Sequence, residues 1–275
     1  MAGVNCPHVG QQAHIRVSLP GAHGQTHVRG VGGRDGGRLA GCLGTASASV
    51  DPPQVSERLL AAGGWERLGA ETFTATFAGA SADGYTVQFE DATLREAIAE
   101  RTLGAVGREL SVFFATRVEF SPPLDDLPLG VGRSEVLAET EDYAREDFER
   151  RLAARGLVDV EVVDETTTTV DSGTDADLLE YRATLPLDDF SFDVAGGETV
   201  TLPADPLDVS GLLAVWYDER TASTLVAGSV FAGENYADTV EVALSSAIDA
   251  TVDIDLGLTP DAYRAETLGL VHSVR

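Results

Sequence analysis

The chain of 275 residues contains no lysine, so its positive side-chain charge comes from 19 arginines, against 45 aspartates and glutamates. The formal net charge of −26 destabilises a compact protein at low ionic strength through self-repulsion. About 1 M salt shortens the Debye length to about 3 Å and removes most of that repulsion. The composition therefore favours a protein that works in multimolar salt. A GC-rich genome also removes lysine codons, which gives the missing lysine a second explanation.

Other absences exclude whole classes of protein. No hydrophobic run approaches the roughly 18 residues of a membrane-spanning helix. No basic stripe is present to meet phosphates, which excludes nucleic acid as a partner. A disordered acidic chain is excluded as well, because 43% of the residues are hydrophobic and their runs are periodic. An acidic surface that meets a basic partner stays the alternative to salt adaptation.

The charge divides the chain near residue 50. Residues 1–50 carry a net charge of +3, four of the five histidines and both cysteines, whereas residues 51–275 carry a net charge of −29. The glycine-rich stretch at 30–37 has no packing capacity. We predict a disordered N-terminal segment with a linker at 1–53, and an acidic globular body at 54–275. The body forms one unit or two subdomains that divide near residue 157.

Leu39-Ala40-Gly41-Cys42 resembles a lipobox, the tetrapeptide cleaved before the cysteine in lipoprotein precursors. With the small-residue linker that follows and the acidic body, the chain resembles haloarchaeal secreted lipoproteins of unknown function. This resemblance implies a lipid on Cys42, a membrane partner through that lipid, and a location on the extracellular face of the cell membrane. A signal peptide also needs an apolar core of about 7–15 residues, and the arginine- and glycine-rich residues 28–38 do not supply one. We therefore expect residues 1–38 not to be the natural leader.

The body reads as an α+β fold with a mainly antiparallel sheet flanked by a few helices. Apolar residues alternate at 73–77 and 85–89, which predicts a hairpin with its turn at 82–84. Further strands are predicted at 111–120, 158–170, 177–187, 190–194, 198–202, 210–218, 224–231 and 251–256. Helices are predicted at 56–60, 93–103, 134–155, 238–249 and 260–270.

From Tyr181 to Ala250, strands and a hairpin around Gly196-Gly197 lead to a strand ending in Trp216-Tyr217, then a further strand and a helix. That order resembles the PsbP-like α/β/α sandwiches. The resemblance implies a binding or assembly module.

Candidate catalytic and metal residues are few. No nucleophile elbow is present, and His272 is the one histidine of the body, so we interpret it as a surface or docking residue. Cys6, His8, His14 and Cys42 do not have the spacing of a zinc site. Asp253 and Asp255 would share one face of a strand, as a carboxylate pair or, by preference, as a solvated acidic edge. We predict no catalytic residue, no metal and no cofactor.

Trp216 and Tyr217 are the candidates for lining a ligand groove, although large aromatics at alternating strand positions more often belong to a core. We expect a non-enzymatic, surface-anchored lipoprotein of an extreme halophile that binds an unknown small ligand or envelope protein. Two alternatives are a secreted carboxylate- or cation-dependent hydrolase, and a soluble cytoplasmic halophilic protein in which the LAGC sequence has no meaning.

Overall fold

The computed structural model describes residues 50–77, 80–102, 109–126, 132–194, 198–245 and 248–275. The strands are β1 (Trp65–Phe77), β2 (Ala80–Asp91), β3 (Val112–Ser121), β4 (Val158–Thr169), β5 (Asp175–Leu185), β6 (Phe190–Val194), β7 (Glu198–Leu202), β8 (Leu207–Asp218), β9 (Ser223–Ala232), β10 (Ala237–Ser245) and β11 (Ile248–Asp255). The α-helices are α1 (Glu57–Gly63), α2 (Ala92–Arg101), α3 (Arg133–Ala154) and α4 (Pro260–His272). The lipobox residues and the candidate ligands Cys6, His8, His14 and Cys42 lie outside the described residues.

Seven strands form one antiparallel sheet in the order β1-β2-β3-β9-β8-β5-β4. The remaining four strands form two separate hairpins, β6-β7 and β10-β11. The predicted α+β fold with a mainly antiparallel sheet is confirmed. Strands from both sides of residue 157 share the sheet, because β9 and β8 lie between β3 and β5.

Helices cover both faces of the sheet. Phe148 and Leu152 of α3 pack with Leu213 of β8 on one face. On the other face, Leu270 of α4 packs with Trp216 of β8. Because both faces are covered, β8 and β9 are buried almost along their whole lengths, and residues 211–217 of β8 form a continuous apolar run.

The predicted turn at 82–84 is wrong, because these residues lie inside β2. Gly84 pairs with Phe73 of β1. A Cβ atom added at Gly84 would lie 2.2 Å from Cε1 of the Phe73 ring. The glycine therefore provides room for a cross-strand aromatic ring, and its Asp-Gly sequence does not mark the hairpin turn.

The predicted helix at 238–249 is also wrong, because β10 and β11 form an antiparallel hairpin there. Apolar residues at 242, 244, 247 and 248 fit a helical period in part. However, Val240, Val242 and Leu244 alternate with polar or small residues, and β-branched residues favour strands. The alternation is the pattern that the chain follows.

The two ends of the body meet at one end of the sheet, which we call the lower end. The backbone of Gln54 exchanges two hydrogen bonds with that of Arg275, with N···O distances of 2.7 and 3.0 Å. The backbone N–H of Asp171, in the β4–β5 turn, donates to the carbonyl of His272 at 2.9 Å. The imidazole Nε2 of His272 lies 2.7 Å from Oγ1 of Thr168, so this histidine docks α4 against β4.

Helix α2 begins at a buried carboxylate. Asp91 is the N-cap, and its Oδ1 accepts a hydrogen bond from the backbone N–H of Leu94 at 2.8 Å. Burial raises the pKa of the Asp91 carboxyl above its ordinary value of 3.8, and the nearby charges of Glu266 and Glu90 raise it further. The hydrogen bond to Leu94 lowers that pKa without cancelling the rise.

We expect Asp91→Asn to stabilise the fold at neutral pH, whereas Asp91→Ala destabilises it by about 1 kcal/mol through loss of the cap. Because the folded-state pKa is raised, the protonated carboxyl stabilises the fold fully below pH 3.8. This stabilisation is lost as the pH rises through the folded-state pKa. The advantage of Asp91→Asn should therefore shrink as the pH falls from 7 towards 4. Urea unfolding of the three proteins at both pH values measures this, and equal losses for both variants at pH 7 would contradict it.

Candidate functional site

A cavity lies where α3 ends above the sheet, and we call it the α3 cavity. Helix α3 stops at Ala154, and Gly156 takes the left-handed conformation with φ of 84°. The backbone N–H of Leu157 then donates back to the carbonyl of Leu152 at 3.2 Å, and β4 begins at the next residue. The strands that run under α3 reach their ends here, opposite the lower end. We call this the upper end of the sheet, marked by the pair Leu185 and Leu207.

The first part of the cavity, the strand lobe, has a volume of about 250 Å³. Its apolar walls include Leu110, Val112, Leu157, Leu185, Leu207 and Val209. Each of these six side chains is at least nine-tenths buried. The strand lobe is therefore a space walled mainly by hydrocarbon.

The second part, the helix lobe, has a volume of about 310 Å³ and lies between the last turns of α3 and strands β2, β3 and β9. Phe114 and Phe148 line it, with ring centroids 5.9 Å apart. Gln88, which carries a side-chain amide, also lines this lobe. The lobe therefore offers a polar group beside aromatic walls.

An ion pair lines both lobes. Nη1 of Arg155 lies 2.9 Å from Oε2 of Glu109, and the two side chains are 34% and 40% exposed. Val112 and Val230 also line both lobes, so the two lobes adjoin. Ion pairs this exposed contribute at most about 1 kcal/mol, and salt weakens them further. Breaking the ion pair between Arg155 and Glu109 therefore costs little free energy, so a charged ligand can displace one of the two partners.

A second arginine at the helix lobe has a structural role. The guanidinium of Arg151 donates to Asp147 of its own helix and to Glu71 of β1. Burial alone lowers the pKa of Arg151, but the two carboxylates outweigh it, so the net shift is upward. Arg151 thereby joins α3 to β1.

The sequence-predicted aromatic candidates lie away from the α3 cavity. Trp216 is 3% exposed in the core under α4, and its indole Nε1 has no hydrogen-bond partner in the described part of the chain. Tyr217 lies near the lower end, with the guanidinium carbon of Arg133 at 4.0 Å from its ring centroid. Neither residue lines the strand lobe or the helix lobe.

The acidic candidate at the end of β11 is engaged in a turn. Oδ1 of Asp255 accepts hydrogen bonds from Nδ2 of Asn235 at 2.9 Å and from the backbone N–H of Gly257 at 2.8 Å. The bond from Asn235 is the main reason that the pKa of Asp255 is lowered. The side chain of Asp253 lies outside what the structure describes.

Two absences hold for the described residues alone. Within those ranges, no three His, Cys, Asp or Glu side chains come together as a metal site. No helix in the same part of the chain is long and apolar enough to cross a membrane.

Sequence reasoning missed the α3 cavity. Its walls come from β2, β3, β5, β8, β9 and the end of α3, so no short motif marks it. The one local signal is Gly156 after a predicted helix, which indicates where α3 stops but not what lies beyond it.

No curated protein and no solved structure was found to match the chain. A protein family described as a domain of unknown function, DUF6517, matches residues 52–275, which is nearly the whole described body. The chain therefore belongs to the DUF6517 family.

Proposed function

We propose that this protein is a lipid-anchored binding protein on the outer face of the cell membrane of an extreme halophile. The observation that carries the proposal is the position of the α3 cavity, at the end of the sheet opposite the point where the N-terminal segment joins the body. An anchored protein with that geometry presents its cavity to the medium.

The anchor is the lipobox resemblance at Leu39-Ala40-Gly41-Cys42. Cleavage before Cys42 leaves seven residues, 43–49, between the lipid site and Val50. Seven residues span at most about 25 Å. Because one acyl chain gives only marginal membrane binding, stable attachment needs a second chain on the same cysteine. The lower end of the sheet would then face the bilayer at short range.

The length of the sheet separates the membrane from the cavity. Strand β5 runs from the lower end to the upper end over 11 residues. At about 3.4 Å per residue it spans roughly 35 Å. A ligand of the α3 cavity therefore arrives from the aqueous side, which is the geometry expected of a protein that captures small molecules outside the cell.

We expect Cys42→Ser to move the protein from the membrane fraction of its native host to the soluble fraction. The serine hydroxyl cannot replace the thiol that carries the lipid, whereas the body is untouched. Alkaline carbonate extraction followed by immunoblotting measures the distribution. Ser47→Ala, in the linker that follows Cys42, is the matched control and should stay in the membrane fraction. Equal distribution of wild type and Cys42→Ser would end the anchoring proposal.

A further inference from the structure

We infer that the α3 cavity binds an amphipathic monoanion, an unbranched hydrocarbon chain that ends in a carboxylate. The carboxylate takes the place of Glu109 on the guanidinium of Arg155. This inference rests on the proposed function only in treating the α3 cavity as the ligand site, and it does not depend on the lipid anchor.

The walls and the volume indicate a hydrocarbon chain. Leu207 is fully buried and Val209 is 5% exposed at the strand lobe, and the helix lobe adds two phenylalanine rings. The helix lobe of about 310 Å³ corresponds to about ten water-sized groups of about 30 Å³ each. A chain of about ten carbons therefore fills it, and the adjoining strand lobe accepts a longer one.

The ion pair indicates the charge of the head group. Arg155 is the C-cap residue of α3, and its backbone N–H bonds to the carbonyls of Arg151 and Leu152. The negative end of the helix macrodipole favours a cation at this position, so Arg155 stays in place. Glu109 lies before β3 and is 40% exposed. Water can therefore hydrate its carboxylate when another carboxylate displaces it from Arg155.

The remaining polar groups at the helix lobe also favour an anion. The amide of Gln88 offers N–H donors to a second carboxylate oxygen. A cationic ligand would instead pair with Glu109 and take this carboxylate away from the guanidinium of Arg155 at the same cavity. In multimolar salt the net charge of the body does not repel the anion over distance, because screening reduces the range to about 3 Å or less.

Calorimetric titration of the full chain with decanoate and with decan-1-ol, in about 3 M KCl, tests the inference. The two probes share the chain and differ in the head group. We expect wild type to bind decanoate about threefold more tightly than decan-1-ol, because an ion pair this exposed contributes less than about 1 kcal/mol at high salt. Glu109→Gln should bind decanoate several-fold more tightly than wild type, since it removes the competing carboxylate. Arg155→Gln should bind decanoate about threefold more weakly, and neither variant should change decan-1-ol binding more than twofold.

A cavity-filling variant locates the binding. Val230→Phe adds a ring where the two lobes adjoin and should abolish binding of both probes. Val163→Phe, on the 45% exposed Val163 of β4, is the matched control and should bind as wild type does. The melting temperature of each variant shows whether it is folded at the temperature of titration.

The outcomes separate the two proposals. If decan-1-ol binds as tightly as decanoate, or if Glu109→Gln binds decanoate no more tightly than wild type, the carboxylate inference is wrong and the cavity remains the ligand site. If wild type and Glu109→Gln bind neither probe, the α3 cavity is not the ligand site. The Cys42→Ser fractionation tests the anchor independently of both results.

Discussion

Lowering the salt concentration from about 3 M to about 0.1 M is expected to unfold the body of this protein. Residues 51–275 carry a net charge of −29. The Debye length grows from less than about 3 Å to about 10 Å over this range, so acidic side chains that ignore each other at high salt begin to repel. The repulsion needs to exceed only the usual net stability of about 5–15 kcal/mol.

The structure contains a local case of this repulsion. Burial raises the pKa of Glu141 on α3, and the charge of Asp177 on β5 raises it further. Arg145 lowers the same pKa, with a salt-bridge distance of 3.8 Å to Glu141, and it also pairs with Glu165 of β4. Arg145 thus pairs with both Glu141 and Glu165. The remaining repulsion among the carboxylates is weakened only by screening from dissolved ions.

Thermal unfolding followed by circular dichroism in a KCl series at pH 7 measures the effect. Sucrose is the matched control, because it favours the compact state through exclusion from the surface but screens no charge. Glu141→Gln should retain structure to lower KCl concentrations than wild type does. A melting temperature that stays constant across the series, or rescue by sucrose equal to that by KCl, would refute the charge explanation.

The substitution Gly228→Val is expected to destabilise the fold by about 3 kcal/mol or more, the upper range for overpacking a core. Gly228 lies on β9 between Phe114 of β3 and Leu213 of β8. A Cβ atom there would lie 2.5 Å from the Phe114 ring and 2.9 Å from the carbonyl oxygen of Leu212. The ring can shift towards the α3 cavity, but the carbonyl belongs to the backbone of a central strand and cannot.

Gly69→Val on the edge strand β1 is the matched control, since a Cβ atom at Gly69 meets nothing within 4 Å. Its stability should stay within about 1 kcal/mol of wild type, because strands accept β-branched residues. Urea unfolding at about 3 M KCl measures both variants as shifts of the midpoint at unchanged slope. Similar midpoints for the two variants would show that the close contacts of a side chain at position 228 with Phe114 and Leu212 do not destabilise the fold.

Elements with one unambiguous pattern could be predicted from the sequence. The strand at 111–120 and the helix at 134–155 are confirmed by β3 (Val112–Ser121) and α3 (Arg133–Ala154) within a residue or two. The errors came where two patterns overlapped. At Gly84 an Asp-Gly turn signal coincided with strand alternation, and the space required by the Phe73 ring explains the glycine.

The α3 cavity could not be predicted, for a different reason. Leu207 and Val209 belong to the strand lobe because β8 pairs with β5 and β9, and Val112 joins them because β3 pairs with β9. These pairings join residues that are far apart in the chain, and no local period encodes them. The same holds for Glu109 and Arg155, which read as ordinary surface charges until the fold places them 2.9 Å apart.

The backbone hydrogen bonds between Gln54 and Arg275 hold the two ends of the body next to each other. Folds whose termini adjoin tolerate circular permutation. A permutant that joins Arg275 to Gln54 and opens between the exposed residues Asp188 and Asp189, just beyond Leu185, would begin and end beside the α3 cavity. The two chain ends would then lie at the upper end of the sheet, beside the α3 cavity, and no longer at the lower end.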